Sequence, residues 1–75
     1  MRCFISFRFD NKKCCSGRQI LNCDCIERVL VAGQQNNLIL IEFRVDGELY
    51  RAFETCESAE EASRRYDDIK LILRA

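Results

Sequence analysis

Apolar and polar positions alternate near the start of the chain and then lose their phase. From Cys3 to Phe9 every odd position is apolar, a period of two that is typical of a strand. Residues 19–32 are also rich in β-branched and apolar residues, but their alternation slips in the middle. A β-bulge or a short break near residues 26–28 would restore it. We therefore predict a strand over residues 2–9 and, over residues 19–32, either one bent strand or two strands.

A β-hairpin is predicted next. Residues 38–45 and 48–54 have strand composition, and they flank the pair Asp46-Gly47. An Asp-Gly pair between apolar segments is a strong hairpin signal, because both residues tolerate the positive φ angles of a tight turn. The two segments should therefore pair as antiparallel strands.

The register of this hairpin is open at the level of sequence. A two-residue turn puts Glu42 opposite Arg51, which is a favourable pair of opposite charges. A three-residue loop ending at Gly47 instead puts Phe43 beside Leu49. We favour the three-residue loop because it gathers apolar residues on one face, and a slip of one residue exchanges the two faces of a strand.

The C-terminal segment predicts an amphipathic helix over residues 58–73. Ser58 and Glu61 have the spacing of a capping box, in which each side chain satisfies a free backbone donor at the start of a helix. Apolar residues then recur three or four positions apart and form one stripe. These are Ala59, Ala62, Tyr66, Ile69 and Leu73.

Together these elements predict an α+β fold in one small domain over residues 1–75. Its sheet is an antiparallel β-meander of three to four strands, followed by one C-terminal amphipathic helix packed on one sheet face. One helix covers one face only, so the opposite face is left for solvent, a ligand or a partner. Leu38 and Leu40 belong to that second face, and Leu71 projects from the far side of the helix. These three leucines are the predicted interface residues.

The distribution of charge makes some classes of function improbable. The 75 residues carry 12 basic and 12 acidic side chains, and the predicted pI is about 6.2. Residues 1–37 hold six basic and three acidic side chains, and residues 38–75 hold six and nine. A nucleic-acid-binding domain is normally clearly basic, so nucleic acid is an improbable partner. A basic patch near the amino terminus keeps weak nucleic-acid binding as a second alternative. Its residues are Arg2, Arg8, Lys12 and Lys13, mixed with Phe4, Phe7 and Phe9.

Six cysteines and the absence of histidine bear on possible chemistry. Cys14 and Cys15, followed by Cys23 and Cys25, could supply four thiolates to a structural zinc ion. Disulfides and reduced, buried thiols are the other two readings, and reduced thiols are favoured. No Cys-His pair or glycine-rich phosphate loop is present, so we predict that the protein is not an enzyme and has no cofactor, with zinc as the alternative.

At the level of architecture, residues 38–73 resemble a truncated PH-like sheet with its helix, and the whole pattern resembles many small bacterial and viral proteins. The resemblance matches no family motif and transfers no functional residue. No signal peptide or membrane span is expected, which predicts a cytoplasmic protein. We therefore predict a small intracellular protein-interaction module that self-associates, as a homodimer or higher oligomer. A cysteine-based metal-binding or redox-sensitive protein is the first alternative.

Overall fold

The computed structural model describes residues 3–10 and 16–74, which form five strands and one helix. The predicted α+β class is confirmed. The first two strands form an antiparallel hairpin, and the other three form an antiparallel sheet in chain order, with the helix following them. The elements are β1 (Phe4–Asp10), β2 (Ser16–Asn22), β3 (Ile26–Ala32), β4 (Leu38–Val45), β5 (Glu48–Thr55) and α1 (Ala59–Arg74).

The segment with the slipped alternation is two strands, so the described chain has five strands where three to four were predicted. A 3-10 turn over Cys23–Cys25 separates β2 from β3, and the Asn22 side chain accepts a hydrogen bond from the Asp24 N–H at 3.0 Å. The register of β3 against β4 then shifts between Ile26 and Arg28. Either a bulge or a short break was predicted near residues 26–28, and the register shift lies there. The 3-10 turn is a separate break that precedes it.

The favoured register of the β4–β5 hairpin was wrong. Asp46 and Gly47 form a two-residue turn with φ angles of 51° and 84°, and Glu42 lies opposite Arg51. Positive φ at both central residues is the mirror-image turn whose twist matches paired strands. The three-residue loop would leave Glu42 without this partner.

The observed register also buries apolar residues, which was the reason for favouring the other one. Phe43 pairs with Tyr50, and Ile41 pairs with Ala52, all on the inner face that meets α1. Ala52 is small and fully buried, so bulkier side chains from outside the sheet fit over it. The inner face of the hairpin is therefore buried by side chains of other elements, which the hairpin sequence alone does not reveal.

The core lies between this inner face, the helix and β1. Most of the predicted apolar stripe of α1 faces the core, with Ala62 and Ile69 fully buried and Tyr66 and Leu73 partly buried. Ala59, the first residue of the predicted stripe, is exposed. Three alternating side chains of β1, those of Ile5, Phe7 and Phe9, pack into the same core. The buried apolar residues are Ile5, Phe7, Phe9, Val29, Ile39, Ile41, Phe43, Ala52, Cys56, Ala62 and Ile69.

A continuous series of stacked rings joins β1 to the sheet. The ring centroids of Phe7 and Phe9 are 5.3 Å apart, and those of Phe9 and Phe43 are 5.8 Å apart. Phe43 in turn stacks on Tyr50 at 5.7 Å. Such pairs add to the free energy of burial, so this series fixes the position of β1 against β4 and β5.

Side chains of β5 and α1 bond the free edge of β1. Among the described residues, no other strand forms a backbone ladder with this edge. The Arg8 N–H donates to Oε2 of Glu54 at 3.0 Å, and the Ser6 carbonyl accepts from the Arg65 guanidinium at 2.6 Å. Arg65 also bonds Oε1 of Glu54 at 2.9 Å and lies 5.4 Å from the centre of the Phe7 ring. The Arg8 N–H and the Ser6 carbonyl of this edge are therefore satisfied, and one ion pair ties β1, β5 and α1 together.

The start of α1 follows the predicted cap with one difference. The Glu61 N–H donates to the Ser58 hydroxyl at 3.1 Å, as the capping box requires. The difference is that the Glu61 carboxylate accepts from the Glu57 N–H at 3.3 Å, whereas in a capping box it would accept from the Ser58 N–H. Within the described part of the chain, no helix has the length and apolar composition needed to cross a bilayer.

Candidate functional site

An apolar row crosses the face of the sheet that points away from α1. Leu30 on β3 pairs with Leu40 on β4, and Leu40 pairs with Phe53 on β5. We call these three residues the outer row. Leu30 is 36% exposed and Phe53 is 38% exposed, while Leu40 between them is half-buried. Because neighbouring positions alternate between faces, no core residue covers the outer row.

The residues on either side of the outer row differ in character. Toward one end of the strands, Leu38 pairs with Ala32 and extends the apolar surface. Toward the other end lies a charged row of Arg28, Glu42 and Arg51. The surface is therefore apolar with one charged border, a composition that is common in protein interfaces.

The predicted interface residues do not all lie together. Leu38 and Leu40 are on this outer face, as predicted, and both are half-buried. Leu71 is exposed on α1, which packs on the inner face, and its neighbours along a shallow hollow are Tyr66 and Lys70 of the same helix. Leu71 therefore belongs to a different surface.

Glu42 is the one charged residue among the described ones that is buried. Its carboxylate accepts from Nε of Arg51 at 2.7 Å and from Nε of Arg28 at 2.5 Å. The hydrogen bond from Arg51, followed by that from Arg28, holds the pKa of Glu42 below its ordinary value of 4.5, although desolvation opposes the shift. The charged border therefore depends on an ionised Glu42.

This pKa predicts how stability depends on pH. A lowered pKa in the folded state contributes stability that is present above pH 4.5 and is lost as the pH falls toward the folded-state pKa, because the unfolded chain then binds the proton more readily. We expect Glu42→Gln to lower the melting temperature at neutral pH. The difference from the parent should shrink below about pH 4, as measured by circular dichroism melts across the acid range. An equal difference at all pH values would contradict this role of Glu42.

The cysteines fall into different classes. Cys3 and Cys23 form a disulfide with a Cα–Cα distance of 5.4 Å, whereas Cys25 and Cys56 are free. Cys14 and Cys15 lie outside the described residues. With Cys23 in a disulfide, a four-thiolate zinc site would first require its reduction. No group of three Cys, Asp or Glu side chains with metal-binding geometry occurs within residues 3–10 and 16–74.

The environment of Cys56 favours the protonated thiol. Its side chain is buried in the core, and burial raises the pKa of the thiol above its ordinary value. The carboxylates of Glu54 and Glu61 raise this pKa further, and Arg65 opposes them. A thiolate is the nucleophilic form of cysteine, so Cys56 is suited to packing.

A groove of about 640 Å³ separates the β1–β2 hairpin from α1. We call it the hairpin–helix groove. Ser6, Arg8 and Arg18 line it from the hairpin. The helix contributes charged side chains of both signs, and the Glu54–Arg65 ion pair described above lies beside the Phe7 ring at its base. The residues lining the groove from α1 are Glu61, Arg64, Arg65 and Asp68.

Two features of these surfaces escaped the sequence patterns. Leu30 and Phe53 complete the outer row. The alternation of apolar residues places them there once the bulge in β3 and the two-residue turn are taken into account. Arg18 and Arg64 reach one groove from distant parts of the chain, and no local pattern indicates that. In comparisons with known proteins, no family model, no curated protein and no solved structure matches this chain.

Proposed function

We propose that this chain is a protein-interaction module whose partner is a second copy of itself, bound through the outer row. The observation that supports this proposal is the apolar surface of Leu30, Leu40 and Phe53, which the described residues of α1 and of the β1–β2 hairpin leave exposed. Apolar patches of this kind on small proteins are often interaction sites. The cytoplasm is the proposed location, and no catalytic role is proposed.

A second copy suits this surface because the outer row is self-complementary. With a twofold axis along the row, Leu40 of one protomer lies over the same row of its partner, and apolar side chains meet apolar side chains. Leu38 then faces the partner's charged row, at the margin of the interface. There the aliphatic stems of Arg28 and Arg51 cover apolar surface while their charged ends, each paired with Glu42, stay in water.

The size of the face sets the strength of the complex. Three strands of seven or eight residues span roughly 27 by 14 Å, so each protomer contributes about 400 Å². The total of about 800 Å² is below the roughly 1,200 Å² at which stable interfaces begin. We therefore expect a reversible dimer with a dissociation constant on the order of 100 μM.

Sedimentation velocity across about 10 μM to 1 mM protein tests the proposal through the change in average mass. Phe53→Thr keeps strand propensity but removes the ring, and we expect it to weaken the dimer about fivefold or more. Val31→Thr is the matched control, because Val31 is 37% exposed on the inner face of the same sheet. We expect this control to dimerise like the parent.

Two results would overturn the proposal. One is a parent protein that stays monomeric at the highest concentration. The other is a dimer that Leu71→Gln or Val31→Thr weakens as much as Phe53→Thr does, because Leu71 and Val31 lie away from the outer row. A dimer that resists Phe53→Thr but not Leu71→Gln would assign the interface to the helix.

A further inference from the structure

Arg8 and Arg18 form an unfavourable pair in the hairpin. They lie directly opposite each other on β1 and β2, and both are exposed on the same face. Like charges in this position repel and lower the stability of a two-stranded pairing. An anion bound between the two guanidinium groups would reverse that effect.

Of the four arginines that line the groove, Arg65 on α1 is paired with a carboxylate, as arginines of the sheet are, and the other three are not, within the part of the chain that the structure describes. Arg28, Arg51 and Arg65 each contact a carboxylate. Among the residues that the structure describes, the side chains of Arg8 and Arg18 have no ion-pair acceptor within 4.0 Å. The same holds for Arg64 on the helix wall, even though Glu60 and Asp68 are four residues away on either side of it. Three guanidinium groups thus line one groove without an ion-pair partner within 4.0 Å among the described residues.

From this geometry we propose that the hairpin–helix groove binds a small phosphomonoester. Its phosphate lies between Arg8, Arg18 and Arg64. Guanidinium groups bind phosphate through paired, charge-assisted hydrogen bonds, and the three positive charges exceed the charge of a phosphomonoester, which is about −1.5 to −2 at pH 7. The Ser6 side chain lies on the same strand face as Arg8 and lines the same wall.

The acidic side chains of the helix wall define the rest of the ligand. Glu61 and Asp68 line the groove together with Arg64. Carboxylates accept hydrogen bonds from hydroxyl groups, as they do in sites that bind a ribose. The same carboxylates repel the successive phosphates of a nucleic acid, and the chain has no net positive charge. A phosphorylated sugar therefore fits this wall better than a polyanion does.

The volume agrees with a ligand of this size. The groove measures about 640 Å³, within the range of roughly 300–1,000 Å³ for small-molecule sites, and it is open on one side. This site is separate from the outer row, because its helix wall belongs to α1, which covers the inner face. Phosphate binding is therefore independent of self-association, and each can fail without the other.

Titration of the ¹⁵N-labelled full chain tests the proposal by NMR, with ribose 5-phosphate, inorganic phosphate and ribose as separate probes. We expect saturable shifts at Arg8, Arg18 and Arg64 with both phosphates, tighter binding of ribose 5-phosphate than of phosphate, and no shifts with ribose. Arg18→Gln should weaken the binding of ribose 5-phosphate about tenfold. Its side chain is exposed, so unchanged shifts in the core will show that the variant is folded.

Arg74→Gln is the matched control. It removes the same charge from an exposed arginine ten residues beyond Arg64 on the helix, which is about 15 Å away. We expect less than a twofold change in affinity. Equal weakening by Arg18→Gln and Arg74→Gln would overturn the proposal, as would the absence of saturable shifts. So would a short single-stranded oligonucleotide that binds more tightly than ribose 5-phosphate, since that result would favour a polyanion site.

Discussion

Phe7→Ala is expected to lower the free energy of unfolding by about 3–5 kcal/mol. Phe7 is 1% exposed, and its ring stacks on Phe9 and lies beneath the Arg65 guanidinium. The substitution removes both contacts and leaves a cavity where β1 meets the sheet. A chain of 75 residues has a total stability of roughly 4–11 kcal/mol, so a large part of the variant should be unfolded or close to it.

Urea denaturation followed by circular dichroism measures this loss. Phe4→Ala is the matched control, because Phe4 is an aromatic residue of the same strand that is 56% exposed on the opposite face. Its effect should stay within about 0.5 kcal/mol. Similar losses in the two variants would contradict the assignment of Phe7 to the core and of Phe4 to the surface.

The second large effect is expected from the Cys3–Cys23 disulfide. The two residues are 20 positions apart and join the open ends of the β1–β2 hairpin, where the Cys23 N–H also donates to the Cys3 carbonyl at 2.9 Å. Closing a loop of this length restricts the unfolded chain. The double variant Cys3→Ser/Cys23→Ser should therefore lose about 3 kcal/mol relative to the oxidised parent.

Urea denaturation with and without reductant separates the disulfide from the serine substitutions. Reduction should lower the denaturation midpoint of the parent but leave that of the double variant in place. Cys25→Ser is the control, since Cys25 is free, and it should respond to reductant like the parent. A parent whose midpoint does not move after complete reduction would show that the bond adds no stability. The cytoplasmic location stays a prediction, and a reducing cytoplasm would remove this contribution.

Local periodicity was sufficient to identify several elements. The helix stripe through Ala62 and Ile69 was predicted and is buried, because spacings of three and four place side chains on one face of any α-helix. A bulge or a short break near residues 26–28 was predicted for a similar reason, and the register shifts between Ile26 and Arg28. Leu38 and Leu40 were assigned to the outer face because a strand alternates its side chains regardless of its partners.

The hairpin register shows where local reasoning fails. Apolar grouping within β4 and β5 favoured a three-residue loop, but the apolar residues that cover the sheet come from β1 and α1. The two-residue turn places Glu42 between two arginines, and Arg28 belongs to a third strand. A pairwise comparison of two strands cannot include that contribution.

The sequence by itself determined the α+β class, the helix with a buried stripe, an irregularity near residues 26–28, and the outward direction of Leu38 and Leu40. These features depend on contacts between near neighbours. Only the tertiary structure decided the register, the disulfide partners and the composition of the groove. The contact between Ser6 and Arg65 spans 59 positions, and Arg18 meets Arg64 across one groove. Residues so far apart in sequence come close only after the whole chain has folded. The free energy of burying a shared core brings them together, and local conformational preference does not.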